Sequence, residues 1–429
     1  MATVLPFLVL LGSLLVGVPI AFSLAVAGIT GIYLLNGDLN VVMKMLGTAP
    51  YGAAADYVLT TIPMFILMAH FSASGGLARD LYTAGANWLS RVKGGLAIAT
   101  VFACGIFGAM SGASIAAAAV MSSVAMPEMR RHGYSDELAA GSIGIGATLD
   151  ILIPPSVGMV IYGITTQTSI GKLLIAGIVP GFILACLLTV AIMIWVRVSP
   201  SHAPETYTVP AGERWRSILR IWASLALIVL VIALLYLGVA TPTEVGALGA
   251  FTAAAIGIGL RRLSWAGALG AIKETIKTSA LIFMILIGAT LFGYYMALSQ
   301  IPQQVVAAVT EMNLNRWVVI VGIIVAYFVV SMFMDELPLL LLTLQLTFPL
   351  ITSLGFDPVW FGVLSMLMVS MGLVFPPVGM IAFVVSATAN VSLVKVYTGT
   401  SVLMSALIVT TLLIMVFPGI VLWLPNTMK

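Results

Sequence analysis

The chain has 429 residues, of which 61% are hydrophobic and only 8% charged, and its mean hydropathy is +1.17. So much apolar surface excludes a water-soluble globule, and apolar runs that are long rather than alternating exclude a transmembrane β-barrel. The net charge of +3 is small, so the placement of the charges says more than their sum, and no nucleic-acid partner is expected.

An all-α polytopic membrane protein follows, and its elements can be taken in chain order. The first apolar run, Val4 to Val16, lacks a basic leading region and a cleavage site, and reads as a retained membrane segment. The break Gly17-Val18-Pro19 divides Met1 to Asn36 into two segments with the N-terminus outside. Lys44 and Asp56 fall in or near an external interfacial arm, which completes scaffold segments over 1–56. Arg91 and Lys93 on one side and Arg130 and Arg131 on the other place both ends of Gly94 to Pro127 in the cytoplasm. Its apolar arms, about 17 and 13 residues, fall short of the roughly 20 that a crossing needs. A re-entrant hairpin over 94–127, tipped at Ser111-Gly112-Ala113-Ser114, is therefore predicted. Such irregular backbone survives at membrane depth only when packed in protein or lining a cavity.

The next segment, 137–163, crosses outward and is broken at Ile153-Pro154-Pro155-Ser156; Lys172 to Val196 returns and ends the first half, 1–196. Arg197 to Arg220, with Pro200, Pro204 and Pro210, is a cytoplasmic linker (197–220). The second half, 221–429, opens with two apolar runs, Ile221 to Gly238 and Val245 to Leu260, around an external turn that carries Glu244. Leu263 to Thr278, with Trp265, Lys273, Glu274 and Lys277, reads as a helix lying in the cytoplasmic interface, so the second scaffold covers 221–278. Ala280 to Leu298 then runs outward, a hairpin over 315–353 bends around Asp335-Glu336, a broken helix over 357–387 crosses inward, and Tyr397 to Leu424 runs out.

The halves match. Ile153-Pro154-Pro155-Ser156-Val157-Gly158-Met159 returns 222 residues later as Phe375-Pro376-Pro377-Val378-Gly379-Met380, and Pro127/Pro349, Gly133/Gly355 and Tyr134/Phe356 keep the same offset. The hairpin tips correspond less tightly, since Ser111 precedes Pro154 by 43 residues and Asp335 precedes Pro376 by 41. Charge counting makes the two copies inverted-topology repeats, and paired breaks at matching places point to a transporter binding site.

The chemistry available at those breaks is specific. Pro-Pro removes donors and frees preceding carbonyls, which suit a bare alkali cation, while restarting helix N-termini suit an anion. Thr148, Ser156, Ser370 and Ser386 either add hydroxyls or bond their own preceding turn. Ser111, Gly112 and Ser114 offer small polar groups at the first tip, or simply close packing. Asp335 is expected to hold a cation, because a carboxylate at that depth costs about 2.5–3.5 kcal/mol and no basic residue lies near it in sequence. Glu336 either joins it or reaches the solvated external rim. Asp150, four residues before Pro154, faces the substrate cavity, pairs with a distant Arg or Lys, or tunes a cation site. Cys104 and Cys186 behave as small hydrophobes, three scattered histidines make no transition-metal site, and no phosphate loop or catalytic grouping is present. The chain is therefore read as a non-enzyme driven by an ion gradient or by another polypeptide.

The motifs Ser111-Gly112-Ala113-Ser114, Gly133-Tyr134-Ser135, Thr148-Leu149-Asp150-Ile151-Leu152-Ile153-Pro154-Pro155-Ser156, Phe333-Met334-Asp335 and Phe375-Pro376-Pro377-Val378-Gly379 closely resemble the large membrane subunit of TRAP (tripartite ATP-independent periplasmic, DctM-like) transporters. The resemblance spans essentially the whole chain. It implies an elevator-type, sodium-driven secondary transporter of the bacterial inner membrane that takes up a small organic acid and has no cofactor other than Na+ as coupling ion. The implied partners are a small four-helix membrane subunit, a periplasmic substrate-binding protein and membrane lipid. The resemblance also implies one sodium site from Ser111, Gly112, Ser114, Thr148 and Pro154 and another from Met334, Asp335, Gly372 and Pro376. The substrate carboxylate is then expected between them, against Ser114, Pro155, Ser156, Pro377 and Gly379. A binding-protein-independent divalent-anion/sodium symporter is the alternative, and a non-transporting structural subunit a more distant one. One departure stands out: the family usually has Gly where this chain has Asp150.

Overall fold

Long apolar stretches punctuated by Gly, Pro and capping residues give a chain that is helical throughout, with no strand among the described residues. The computed structural model describes residues 4–204, 206 and 208–428; the expected external N-terminus at Met1 lies outside them. Among the described residues, five helical stretches are long and apolar enough to cross a bilayer: Tyr57–Ser74, Ile170–Val198, Trp265–Ser299, Glu336–Ser353 and Leu393–Val416. Ala211–Arg220 and Trp222–Tyr236, joined at a 40° bend, add a sixth only if the bent pair is counted as one span.

Two helix pairs and two interrupted helices form one packed body. The first pair, Gly95–Ser111 and Ser114–Arg131, turns at Gly112, whose φ of +61° suits glycine. The second pair, Arg316–Ser331 and Glu336–Ser353, turns just before Asp335, which caps the second helix by accepting from the Glu336 N–H. Between these pairs, Asp136–Ala147 runs through a 3₁₀ turn at Thr148–Ile151 and resumes as Val157–Thr166. Likewise Pro358–Gly372 stops and Met380–Ala389 resumes. Both interruptions contain a cis prolyl bond, Pro154-Pro155 and Pro376-Pro377.

The interrupted helices exchange partners. Val157–Thr166 packs on Glu336–Ser353 and along Pro358–Gly372, where the Tyr162 hydroxyl donates to the Pro358 carbonyl at 2.7 Å. Met380–Ala389 in turn packs on Ser114–Arg131 and Asp136–Ala147.

The flanking helices follow the same exchange. Ile20–Asn36 lies against Trp265–Ser299, and Pro242–Gly259 lies against Thr61–Ser74. Small residues permit the close approach. A Cβ at Gly28 would sit 2.6 Å from the Leu291 carbonyl carbon, and one at Gly288 would fall on the Ala21 carbonyl oxygen. In the second pairing the Thr61 and Thr243 hydroxyls meet at 2.7 Å. A capping box at Thr241 and Glu244, with Pro242 in the first turn, starts the Pro242–Gly259 helix.

Charged groups from both halves gather at one end. Arg130 and Lys395 both pair with Asp136, at 2.8 and 3.2 Å, and Arg130 also donates to the Asn390 carbonyl. Partial burial pushes the Asp136 carboxyl up, but the hydrogen bonds and positive charge of Arg130 and Lys395 outweigh it and hold it below the usual carboxylate range. Asp80 and Arg262 form a further ion pair, and Trp88 stacks edge-on against Trp215 of the linker.

Four elements differ from the sequence reading. Leu263 to Thr278 is not a separate interfacial helix, because Trp265–Ser299 is one helix of 35 residues with no proline to interrupt it. The linker contains the strongly amphipathic helix Ala211–Arg220. Leu77–Leu89 and Ile301–Glu311 are additional helices, hidden in the sequence because polar residues interrupt their apolar pattern.

Gly288→Val places a branched side chain against the Ala21 backbone, and is expected to destabilise the protein by about 1–3 kcal/mol. A lowered thermal unfolding midpoint in detergent would register it.

Candidate functional site

Each helix pair meets its own interrupted helix at the turn. At the first junction the Val157 N–H donates to the Gly112 carbonyl at 3.4 Å, and at the second the Gly379 N–H donates to the Met332 carbonyl at 3.0 Å. The two donors, Val157 and Gly379, are 222 residues apart. Glycine is required where the backbones touch: a Cβ at Gly112 would lie 2.8 Å from the Pro155 carbonyl oxygen, and a Cβ at Gly372 would fall on the Ser331 hydroxyl.

The first junction is sealed. Ser111, Ser114, Thr148, Pro154, Pro155 and Ser156 are all buried. The hydroxyls are turned so that their protons are engaged: Thr148 Oγ1 donates to the Ile145 carbonyl at 2.7 Å, Ser111 Oγ to the Gly108 carbonyl at 3.5 Å, and Ser114 Oγ to Asp150 Oδ1 at 2.6 Å. Their lone pairs remain available to coordinate a cation. Ser156 Oγ instead caps its helix by accepting from the Met159 N–H. Among the described residues no hydrogen bond reaches the carbonyl of Pro154, nor that of Pro376 in the second junction.

The second junction is more open. Gly372 and Gly379 are buried, Met334, Asp335 and Pro376 are half-buried, and Pro377 is exposed. Several carbonyls freed by the break are already occupied. Tyr397 donates to Val378 at 2.6 Å and to Pro377 at 3.1 Å, Thr400 donates to Val374, and the Ile381 N–H donates to Leu373. Ser370 and Ser386 bond the backbone carbonyls of Leu367 and Val391. The expectation of generally free carbonyls is therefore narrowed to a few, Pro154 and Pro376 among them.

The carboxylates lie between these junctions. Glu336 is 7% exposed, so it is not at a solvated rim; it packs beside Gly158 of the opposite half, and its Oε2 has no hydrogen-bond partner. Asp150 is 1% exposed and its Oδ2 is likewise unbonded. Asp150 and Asp335 act on each other electrostatically, both act on Glu336, and no Lys, Arg or His pairs with any of them among the described residues. The Arg or Lys partner considered for Asp150 is thus replaced by the Ser114 hydroxyl.

Pro155 and Ser156 belong to the first junction and Pro377 and Gly379 to the second, with no hydrogen bond joining the two sets. Residues not singled out from sequence also build the site. Gly108 receives Asp150, Gly372 receives Ser331, and Gln345 Nε2 donates to the Ala289 carbonyl at 3.0 Å, linking the central body to the flanking helix Trp265–Ser299. Gly108 and Ser331 were legible only as small residues near a turn; Gln345 was the lone amide in an apolar run.

Comparison with known proteins places this geometry. The family model described as "Tripartite ATP-independent periplasmic transporter, DctM component" matches residues 7–420. The chain is 33% identical over 405 residues, 94% of both chains, to the C4-dicarboxylate TRAP transporter large permease protein DctM of Pseudomonas aeruginosa. It is 32% identical over 419 residues, 97% of both chains, to the ectoine TRAP transporter large permease protein TeaC of Halomonas elongata. In fold it is similar to the YdaH transporter of Alcanivorax borkumensis, with a TM-score of 0.63 at 14% identity, covering 90% of this chain and 89% of that one. On these near-full-length matches, this chain belongs to the DctM component family of tripartite ATP-independent periplasmic transporters, as a membrane permease and not an enzyme.

Proposed function

We propose that the chain is the large transport subunit of a sodium-coupled system that takes up a small organic acid across the bacterial inner membrane. Its partners in this reading are a small four-helix membrane subunit and a periplasmic substrate-binding protein. The observation that carries the sodium reading is the pairing, at each junction, of an unbonded prolyl carbonyl with turn oxygens, close to carboxylates that lack any basic partner. A buried carboxylate without a counter-charge is strongly disfavoured, and a bound cation relieves it. The relatives named for C4-dicarboxylates and for ectoine support a small organic acid as cargo.

The two halves act in this reading as inverted repeats, with 94–127 and 315–353 as re-entrant hairpins. The exchanged packing of the interrupted helices and of the flanking helices supports that symmetry. The elevator reading takes the hairpins and interrupted helices as the moving body and the flanking helices as the fixed scaffold. Substrate carboxylate then binds between the junctions, at Ser114, Pro155, Ser156, Pro377 and Gly379, of which Pro377 is the exposed one.

Proteoliposomes holding the chain with both partners are expected to accumulate the binding protein's ligand under an inward sodium gradient and not under a potassium gradient of equal size. Uptake that is indifferent to sodium would reject the coupling. Asp335→Asn is expected to reduce sodium-dependent uptake at least about tenfold. For the topology, Arg131→Cys and Glu244→Cys in a background lacking Cys104 and Cys186 should react with an impermeant thiol reagent from opposite sides, both positions being exposed. Labelling from the same side would overturn the inverted arrangement.

A further inference from the structure

The two junctions are not copies of each other in charge, and the difference has a pattern. At the second junction the carboxylate stands on the hairpin turn, as Asp335, and the interrupted helix contributes a glycine, Gly372, which receives Ser331 of the hairpin. At the first junction the hairpin turn is neutral, and the carboxylate stands on the interrupted helix at Asp150, the residue 222 positions before Gly372. The contact is reversed along with it: here the hairpin contributes the glycine, Gly108, on which Asp150 Cβ rests. Each junction therefore brings one carboxylate and one glycine, from opposite partners.

Asp150 is held in that position. Ser114 Oγ, at the hairpin turn, donates to Oδ1 at 2.6 Å, and the backbone N–H of Ile151 also faces the carboxylate. Oδ2 is left without any partner in a side chain that is 1% exposed. The titratable groups around it, Cys104 on the hairpin and Asp335 and Glu336 from the other half, supply no positive charge. An unpaired oxygen on a carboxylate, beside a turn hydroxyl whose own proton is already engaged, is a donor set for a small monovalent cation.

We propose that Asp150 is a ligand of the cation at the first junction, supplying through Oδ2 the negative charge that Asp335 supplies at the second. The proposal rests on the sodium-coupled reading above and adds a residue that the family pattern, with glycine at this position, does not contain. It makes the first site charged, and so tighter for sodium than a site built from Ser111, Gly112, Ser114, Thr148 and Pro154 alone.

The test is sodium binding to the purified full-length chain, read as the rise in thermal unfolding midpoint when NaCl replaces KCl at constant ionic strength. Asp335→Asn isolates the first junction, and Asp150→Asn is then added to it; the amide keeps the volume and the Ser114 contact, so the fold is retained. The sodium concentration for half-maximal stabilisation is expected to rise by about tenfold or more when Asp150→Asn is introduced, and likewise for Asp150→Gly in the otherwise unaltered chain. A purely structural Asp150 would change the unfolding midpoint in KCl and leave the sodium half-saturation where it was, which would overturn the proposal. Should the unaltered chain respond identically to NaCl and KCl, the sodium reading itself fails. Should it respond, with Asp335→Asn weakening the response and Asp150→Asn having no effect, only the role of Asp150 fails.

Discussion

Backbone polar groups removed from water have to be satisfied by the protein itself, and this constraint shapes the chain more than any other. Two helices are interrupted by Pro-Pro in segments apolar enough for membrane depth, which leaves carbonyls and N–H groups without their helical partners. The fold answers by bringing a helical turn to each interruption. Gly112 accepts from Val157, Met332 accepts from Gly379, and Tyr397 and Thr400 cover the carbonyls that the turn does not reach. Among the groups left unsatisfied at the junctions are the prolyl carbonyls of Pro154 and Pro376 and single oxygens of Asp150 and Glu336. They lie where the sodium reading proposed above needs oxygen ligands.

Much of this arrangement was legible in the sequence because it is written in backbone chemistry. Pro-Pro, the glycines beside it and the turn at Ser111-Gly112-Ala113-Ser114 each restrict conformation locally, and a fixed offset repeats them. The all-helical membrane class follows from composition alone, and the family from the motifs around the breaks. Side-chain environment was less legible. Nothing local to Glu336 says that it is buried against Gly158, nearly 180 positions earlier in the chain. Ser114 as the partner of Asp150, and Tyr397 as the donor that occupies the Pro377 and Val378 carbonyls, are contacts made by packing between elements distant in sequence. Helix boundaries were lost where polar residues sit on one face of an otherwise apolar helix, as in Leu77–Leu89, and where no breaker separates two expected elements, as in Trp265–Ser299.

The two junctions share a contact geometry but differ in chemistry. A glycine faces a larger residue at both, but the glycine belongs to the interrupted helix in one and to the hairpin in the other. The close contact is present at both, while the side that supplies the glycine changes. Burial diverges as well, since the first interruption is enclosed and the second leaves Pro377 exposed.

The ionic knot at Arg130, Asp136 and Lys395 bears on all of this. Arg130 ends the first hairpin, Asp136 begins the first interrupted helix, Lys395 lies in the last long helix, and Arg130 further grips Asn390 at the end of the second interrupted helix. Four segments, drawn from both halves of the chain, are thereby clamped at a shared end, while Val157–Thr166 and Glu336–Ser353 interlock elsewhere in the body. These contacts join the elements of both junctions into one packed body. In the elevator cycle proposed above, the occupants of the two junctions would then travel in the same stroke, and coupling between ions and cargo would rest on their sharing one body rather than on a signal passed between distant sites.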